Sequence, residues 1–536
     1  MKRYRTLCIC LALLLIHAAC SDFLERDNPT ATTDEKWWNL ETDLRAALED
    51  IYAGVPSGVI VYNDFYSNAR VHLSGASDES VFRANYTDFE VFTLGTATSS
   101  SGIPLQQYRN KYRAIRNACR FLENYAKAYV QDPSLKERYA AEARALRAWY
   151  HFELFAYFGP VPIVDHSLSP AEQYAARPTQ EEMLRFIIAE LEAAAAVLPV
   201  KYPDSEAYRI NKAICYAMEC EVYMFVNDYA NAAMKAKQVI DQNIYELYHS
   251  TDPNIGNYAA LFTYTGVVNR ERIFFYRTGQ RQAFLRLGPK SFGGANSTTS
   301  PTAAIVNTYE TKQGKTIQEL GADSMAIYVR NPNFNNNRDP RFKASILAPG
   351  ETFLGKVMDP FTTTSVDLIG QTQSTQTGFW IKKWLDARDI SNQADGQLDF
   401  FIIRYAEILL NYVEALIETG KWQDPDVTRY LNMIRKRAGM PDVDVKRYNT
   451  QEKMREFVRR ERQVELAFEG QRFYDIRRWK IGEKVLNGTV YGAVDPATGK
   501  PVVVEQRKFN PARDYVWPIP LTELNANSKM KQNPNW

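Results

Sequence analysis

The sequence predicts a mainly α fold in which tetratricopeptide-like helical repeats carry a long, loop-rich capping region. Two observations predict the repeats. Apolar residues recur at helical spacing through 104–243 and again after Ile402. Within them, helix–turn–helix pairs span about 34 residues, the tetratricopeptide period. The third observation predicts the cap: between about 244 and 400 the chain turns rich in Asn, Thr, Gly, Ser and Pro. At 13% aromatic and 24% charged, the 536 residues compose a globular chain rather than a disordered one.

The first segment is not part of that body. Lys2, Arg3 and Arg5 precede an apolar stretch from Leu7 to Ala19, interrupted by His17. A bilayer core needs about 20 apolar residues, so this stretch is too short to span. Its order of positive start, apolar centre and small residues (Ala18-Ala19) is that of a signal peptide. Cys20 then stands where a lipoprotein signal places the thiol that takes the lipid. The reading is a signal over 1–19 and a lipidated, polar tether over 20–34. A helical body follows over 35–243, then the loop-rich region over 244–400 as a ligand-binding cap, and C-terminal repeats and tail over 401–536.

Within the body, a first helix is expected near 35–53. A second, over about 104–130, carries Tyr108, Tyr112, Ile115, Ala118, Cys119 and Leu122 on one face. In "YAAEARALRAWYHFELFAYFGPVPIV", Ala143, Leu146, Tyr150, Leu154 and Tyr157 form a stripe, and Gly159-Pro160 stops the helix. Residues 206–241 read as two helices around a turn at Asn227-Asp228. "IIRYAEILLNYVEALIETG" and "DVTRYLNMIRKRAG" form a similar pair. Such a pair cannot bury its apolar face alone, so several should stack. Inside the loop-rich region, Phe274 and Tyr276 of "RIFFYRT" read as core.

Charge and motifs exclude several functions. Without residues 1–19 the chain would carry 62 Lys+Arg against 63 Asp+Glu, which leaves no basic excess for phosphate contacts and argues against nucleic acid. His72, His151, His166 and His249 share no metal-ligand spacing, and neither H-E-x-x-H nor G-x-S-x-G occurs. "GKT" at 314–316 has Tyr309 where a phosphate loop needs Gly. "ADGQLD" at 394–399 lacks the alternating acids of a calcium loop. No cofactor and no metal are expected. Cys119, Cys215 and Cys220 offer no disulfide framework and read as buried thiols. No catalytic residue stands out, so an enzyme is not expected. A glycoside hydrolase remains an alternative, because a carboxylate pair facing one bond leaves no mark in sequence. The 32 Tyr, 27 Phe and 9 Trp are more rings than a helical core needs. Flat rings in loops, with Asn, Asp and Arg beside them, suit sugars.

In "RRERQVELAFEGQRFYDIRRW", Glu461, Glu465 and Glu469 share a helix face and Arg462 reaches Glu465 at i+3. This pattern reads as an ion-paired helix clamping the repeats. Gly470 is expected to end that helix, and Phe473, Ile476 and Trp479 to bury the next.

Several segments, in order, resemble the SusD/RagB family of outer-membrane nutrient-binding lipoproteins: "FLERDNPTATTDEKWW", "AEARALRAWYHFELFAYFGPVPIV", "SPTAAIVNTYETKQG", "NNNRDPRF", "FIIRYAEILLNYVEALIETG", "LNMIRKRAGMP", "RRERQVELAFEGQRFYDIRRW" and the tail "VWPIPLTELNANSKMKQNPNW". The resemblance implies a SusD-like α-α superhelix of four tetratricopeptide-like units with a variable cap. It implies a lipid anchor at Cys20 on the outer membrane, facing the cell surface. It also implies an oligosaccharide ligand and a SusC-like TonB-dependent transporter as partner, with a peptide-binding RagB-like member as the alternative. For ligand contacts the expected residues are Tyr66, Phe82, Tyr86, Phe284 and Phe292 as stacking rings, with Asn296 bonding hydroxyls. Asp78 matches a recurring acidic position of the family.

Overall fold

The computed structural model describes residues 37–59, 69–83, 89–293, 295–330 and 332–536. Helices Glu41–Tyr52, Gly102–Asn124, Pro133–Phe158, Gln180–Val197, Lys212–Phe225 and Tyr229–Asp241 pack one against the next. Tyr405–Glu418 then packs directly on Tyr229–Asp241, and Pro425–Arg437 and Gln451–Glu465 pack on Tyr405–Glu418. The region expected to be loops is therefore an insertion between two helices that stack as neighbours. Its start and end are tied together, since strand Arg272–Tyr276 pairs antiparallel with Phe400–Arg404. Phe274 is buried there and Tyr276 half-buried.

Local chemistry sets the helix ends. Asp132 accepts from Ser134 N–H ahead of Pro133, and Thr179 with Glu182 forms a capping box. The expected turn holds Asn227 at φ 61°, and Asp228 caps the helix after it. Gly159, at φ 69°, stops the Pro133–Phe158 helix. The stripe read along that helix is only part of its burial. Every residue from Tyr139 to Phe158 except Arg144 is buried, which marks the central helix of the domain. Its charges are accordingly paired: Glu153 with Lys111 at 2.6 Å, and Arg147 with Glu190 at 2.5 Å. Cys119, Cys215 and Cys220 are buried free thiols. Among the described residues, no helix is long and apolar enough to cross a membrane.

The charged helix Gln451–Glu465 clamps the C-terminal repeats to the insertion. Glu461 accepts from Arg341 at 2.6 Å and Arg435 at 2.9 Å. Glu465 accepts from Arg404 at 2.6 Å, from Arg341 at 3.0 Å and from Arg437. Glu469 accepts from Arg404 at 2.8 Å and Lys383 at 2.9 Å. Two expectations need correction. Arg462 does not reach Glu465; it turns to Asp475 at 2.8 Å and to Asn411, bridging to the next helix. The helix ends at Glu465, not at Gly470. Gly470, at φ 85°, opens the helix Gln471–Arg478, where a Cβ would lie 2.8 Å from the Arg70 carbonyl. Phe473, Ile476 and Trp479 are buried, as their spacing predicts.

Candidate functional site

The structure gathers the described members of the expected sugar site. Strand Ser80–Phe82 pairs with Thr299–Pro301, placing Phe82 opposite Thr299. The Arg83 N–H donates to the Thr298 carbonyl, and the Asn296 N–H donates to Leu285, beside Phe284. Tyr66 and Tyr86, like Cys20, lie outside the described residues.

The gathered rings do not face outward. Phe82 stacks on Phe89 at 5.4 Å and covers Gly75 so closely that a Cβ there would fall 2.4 Å from its ring. Phe284 is 1% exposed and meets Phe292 edge-on at 5.7 Å. Phe292 packs on Phe353 at 5.5 Å with the Lys356 ammonium over it. Their expected role as stacking platforms is therefore corrected: apolar burial against other rings outweighs exposure in this region. Asn296 is buried too, and its Oδ1 has no hydrogen-bond partner among the described residues. Asp78 holds Arg472 in a two-bond ion pair, 2.7 Å each, which makes its role here structural.

Open space borders the residues that flank this strand pair, Asp78 and Thr302. Thr302 donates its hydroxyl to the Asp78 carbonyl at 2.6 Å and caps the short helix Ala303–Thr308 by accepting from Ile305. That helix separates two adjoining cavities of about 470 Å³ and about 460 Å³. Ala303, Asn307, Gly492 and Val494 line both. Gly492 belongs to strand Gly488–Val494, which pairs with Pro501–Arg507. A Cβ on Gly492 would fall 2.3 Å from the Thr377 carbonyl, so glycine is required for the hairpin to sit this close.

The first cavity is walled by the rings of Tyr328, Phe342, Phe361 and Phe379, with Arg338 among them. The Arg338 Nη2 donates to the carbonyls of Val306 (2.5 Å) and Tyr309 (2.9 Å), at the C-terminal end of the short helix. Burial lowers the Arg338 guanidinium to about 10, so it stays charged at neutral pH. The second cavity is more apolar, with Tyr491 44% exposed at its wall. Its Asn487 and Arg507 are committed to the backbone of Phe509, and of Ser77 and Ser80. Between the cavities, the half-buried Asn307 amide has no hydrogen-bond partner among the described residues. Concave, ring-walled space of this size with few placed polar groups is what small-ligand sites share. Ring faces beside a free amide suit the C–H faces and hydroxyls of a sugar. No cluster of metal-ligating side chains occurs among the described residues.

Sequence reasoning missed Asn307, Arg338 and Tyr491. The first two lie in segments it did single out, "SPTAAIVNTYETKQG" and "NNNRDPRF". Tyr491 lies in a segment that the sequence reading did not single out.

Comparison with known proteins places the chain. The family model described as "SusD family" matches residues 263–536, and one described as "Starch-binding associating with outer membrane" matches 22–224. A SusD-like protein of Formosa agariphila is 24% identical over the full length of both chains. The structure is similar to that of a SusD-like carbohydrate binding protein from Bacteroides fragilis, with TM-score 0.80 and 28% identity over 92% of this chain and 99% of the other. It also shares its fold with a laminarin-binding SusD-like protein, with TM-score 0.68 and 20% identity over 93% of this chain and 100% of the other. The matched family model, the shared helical architecture and the ordered motifs agree: the chain belongs to the SusD family.

Proposed function

We propose that the protein is a cell-surface glycan-binding lipoprotein that captures oligosaccharides or polysaccharides in the double cavity and delivers them to a SusC-like TonB-dependent outer-membrane transporter. The observation that carries the sugar reading is the unpartnered Asn307 amide set between two cavities, the first of them walled by rings. The carbohydrate-binding and laminarin-binding descriptions of two structural neighbours support it. Binding proceeds without cleavage, and Cys20 carries the lipid with residues 21–34 as a leash.

The test is retention of the purified protein on a panel of immobilised polysaccharides, with soluble products assayed for new reducing ends. One polysaccharide should retain it and release none. Asn307→Ala should weaken that retention about fivefold, the worth of one hydrogen bond of about 1 kcal/mol. Unchanged retention would move the site elsewhere, and new reducing ends would make the protein a hydrolase. The anchor has its own test. Cys20→Ser should shift the protein from the membrane to the soluble fraction in cells lacking the transporter. Continued membrane fractionation there would place the anchor elsewhere.

A further inference from the structure

Arg338 is 2% exposed on the wall of the first cavity, yet it has no carboxylate partner among the described residues. Its Nη2 serves the Val306 and Tyr309 carbonyls, while Nε is buried without an acceptor and Nη1 donates to nothing described. Its neighbour Asp339 contributes a nearby negative charge but makes its bonds to Arg341, at 2.7 Å, rather than to Arg338. Arg341 and Arg435, buried nearby, both reach Glu461. A buried cation with no carboxylate in direct contact is costly, and proteins pair such groups or present them to a ligand. The cavity's two acids lie closer to solvent, half-buried, and are already engaged. Asp359 accepts from the Phe361 and Thr362 N–H groups at 3.1 and 3.0 Å, and Asp495 from the Ala497 N–H at 2.8 Å.

We propose that the first cavity binds the anionic substituent of an acidic sugar, a uronate carboxylate or a sulfate ester, on the Arg338 guanidinium, with Asn307 bonding a neighbouring hydroxyl. The inference rests on reading the cavity as a glycan site and names the class of glycan. With Nη2 taken by two carbonyls and Nε buried, Nη1 supplies either anion with a charge-assisted hydrogen bond. The ring walls hold the sugar body, and the half-exposed acids oppose a second negative charge near the mouth.

The experiment titrates the protein with paired oligosaccharides that differ only in charge. Oligogalacturonate and oligoglucuronate are compared with their carboxyl-reduced forms, and a sulfated oligogalactan with its desulfated form. At least one acidic member should bind about tenfold or more tighter than its neutral partner, the worth of a charge-assisted hydrogen bond. Which pair shows the preference separates carboxylate from sulfate. Arg338→Gln should collapse that ratio to about one. Because Arg338 also holds two backbone carbonyls, Asn307→Asp serves as the second variant. Its amide bonds nothing among the described residues, so the fold is retained while the new carboxylate reverses the preference. Equal affinity within every pair, with binding intact, overturns the anionic site and leaves the glycan reading standing. A preference that survives both variants also overturns it. Failure of every oligosaccharide to bind overturns the inference, and retention on the neutral polysaccharide panel then decides the glycan reading separately.

Discussion

Replacing Glu465 with Gln is expected to destabilise the protein by about 3–5 kcal/mol, read as a lower midpoint in urea unfolding. The carboxylate is fully buried and accepts from Arg404, Arg341 and Arg437 at once. Its removal leaves three buried guanidinium groups short of counter-charge. Arg404 is bound besides to Glu271 and Glu469. The loss therefore spreads from the terminal helix to the strand that closes the insertion. The same clamp sets an acid limit. Burial by itself would raise the Glu465 carboxyl, but Arg437, Arg404 and Arg341 together hold it well below the usual carboxylate range. Glu461, Glu469 and Asp475 are likewise held low by their arginine or lysine partners against burial. A carboxyl depressed in the folded state contributes stability that is complete above its unfolded value of about 4 and is lost as pH falls below it. The stability that these four carboxyls contribute should thus hold down to about pH 5 and be lost progressively under it. The Glu465→Gln protein should show a shallower fall, because one of the depressed groups is gone.

The largest expected effect on binding comes from Ala303→Trp. Ala303 is half-buried, begins the short helix and lines both cavities. An indole there projects into the space a sugar ring needs. The helix itself is held by Thr302 at one end and by Arg338 at the other, so the change adds bulk without removing a support. Retention on the bound polysaccharide should drop by more than about tenfold, with a stability change within about 0.5–1 kcal/mol, typical of a partly exposed position.

Much of the helical body is legible in the sequence, because each helix buries a continuous face and local caps fix its ends. Asn227-Asp228, Gly159 and the Glu461–Glu465–Glu469 row all act where their spacing places them. The cap is less legible. Phe82 looks like a loop ring until its strand pairs with Thr299 more than 200 residues away, and Phe284 until Phe292 closes over it. Whether a ring in such a segment stacks on a ligand or on another ring depends on contacts that no local pattern records. The cavity is harder still, since Ala303, Arg338, Phe361 and Gly492 come from four separate segments. The family resemblance picked out two of those segments without showing which of their side chains face the cavity. Arg462 departs from its spacing for the same reason: i+3 allows the Glu465 contact, while Asp475 and Asn411 on neighbouring helices offer a better one.

The central claim is that the double cavity around Ala303 and Asn307 holds a glycan. Retention of the native protein and of Ala303→Trp, side by side on the polysaccharide that binds best, tests it most directly. The native protein should be retained without new reducing ends, and the folded variant should pass through. Equal retention of the two proteins would contradict it.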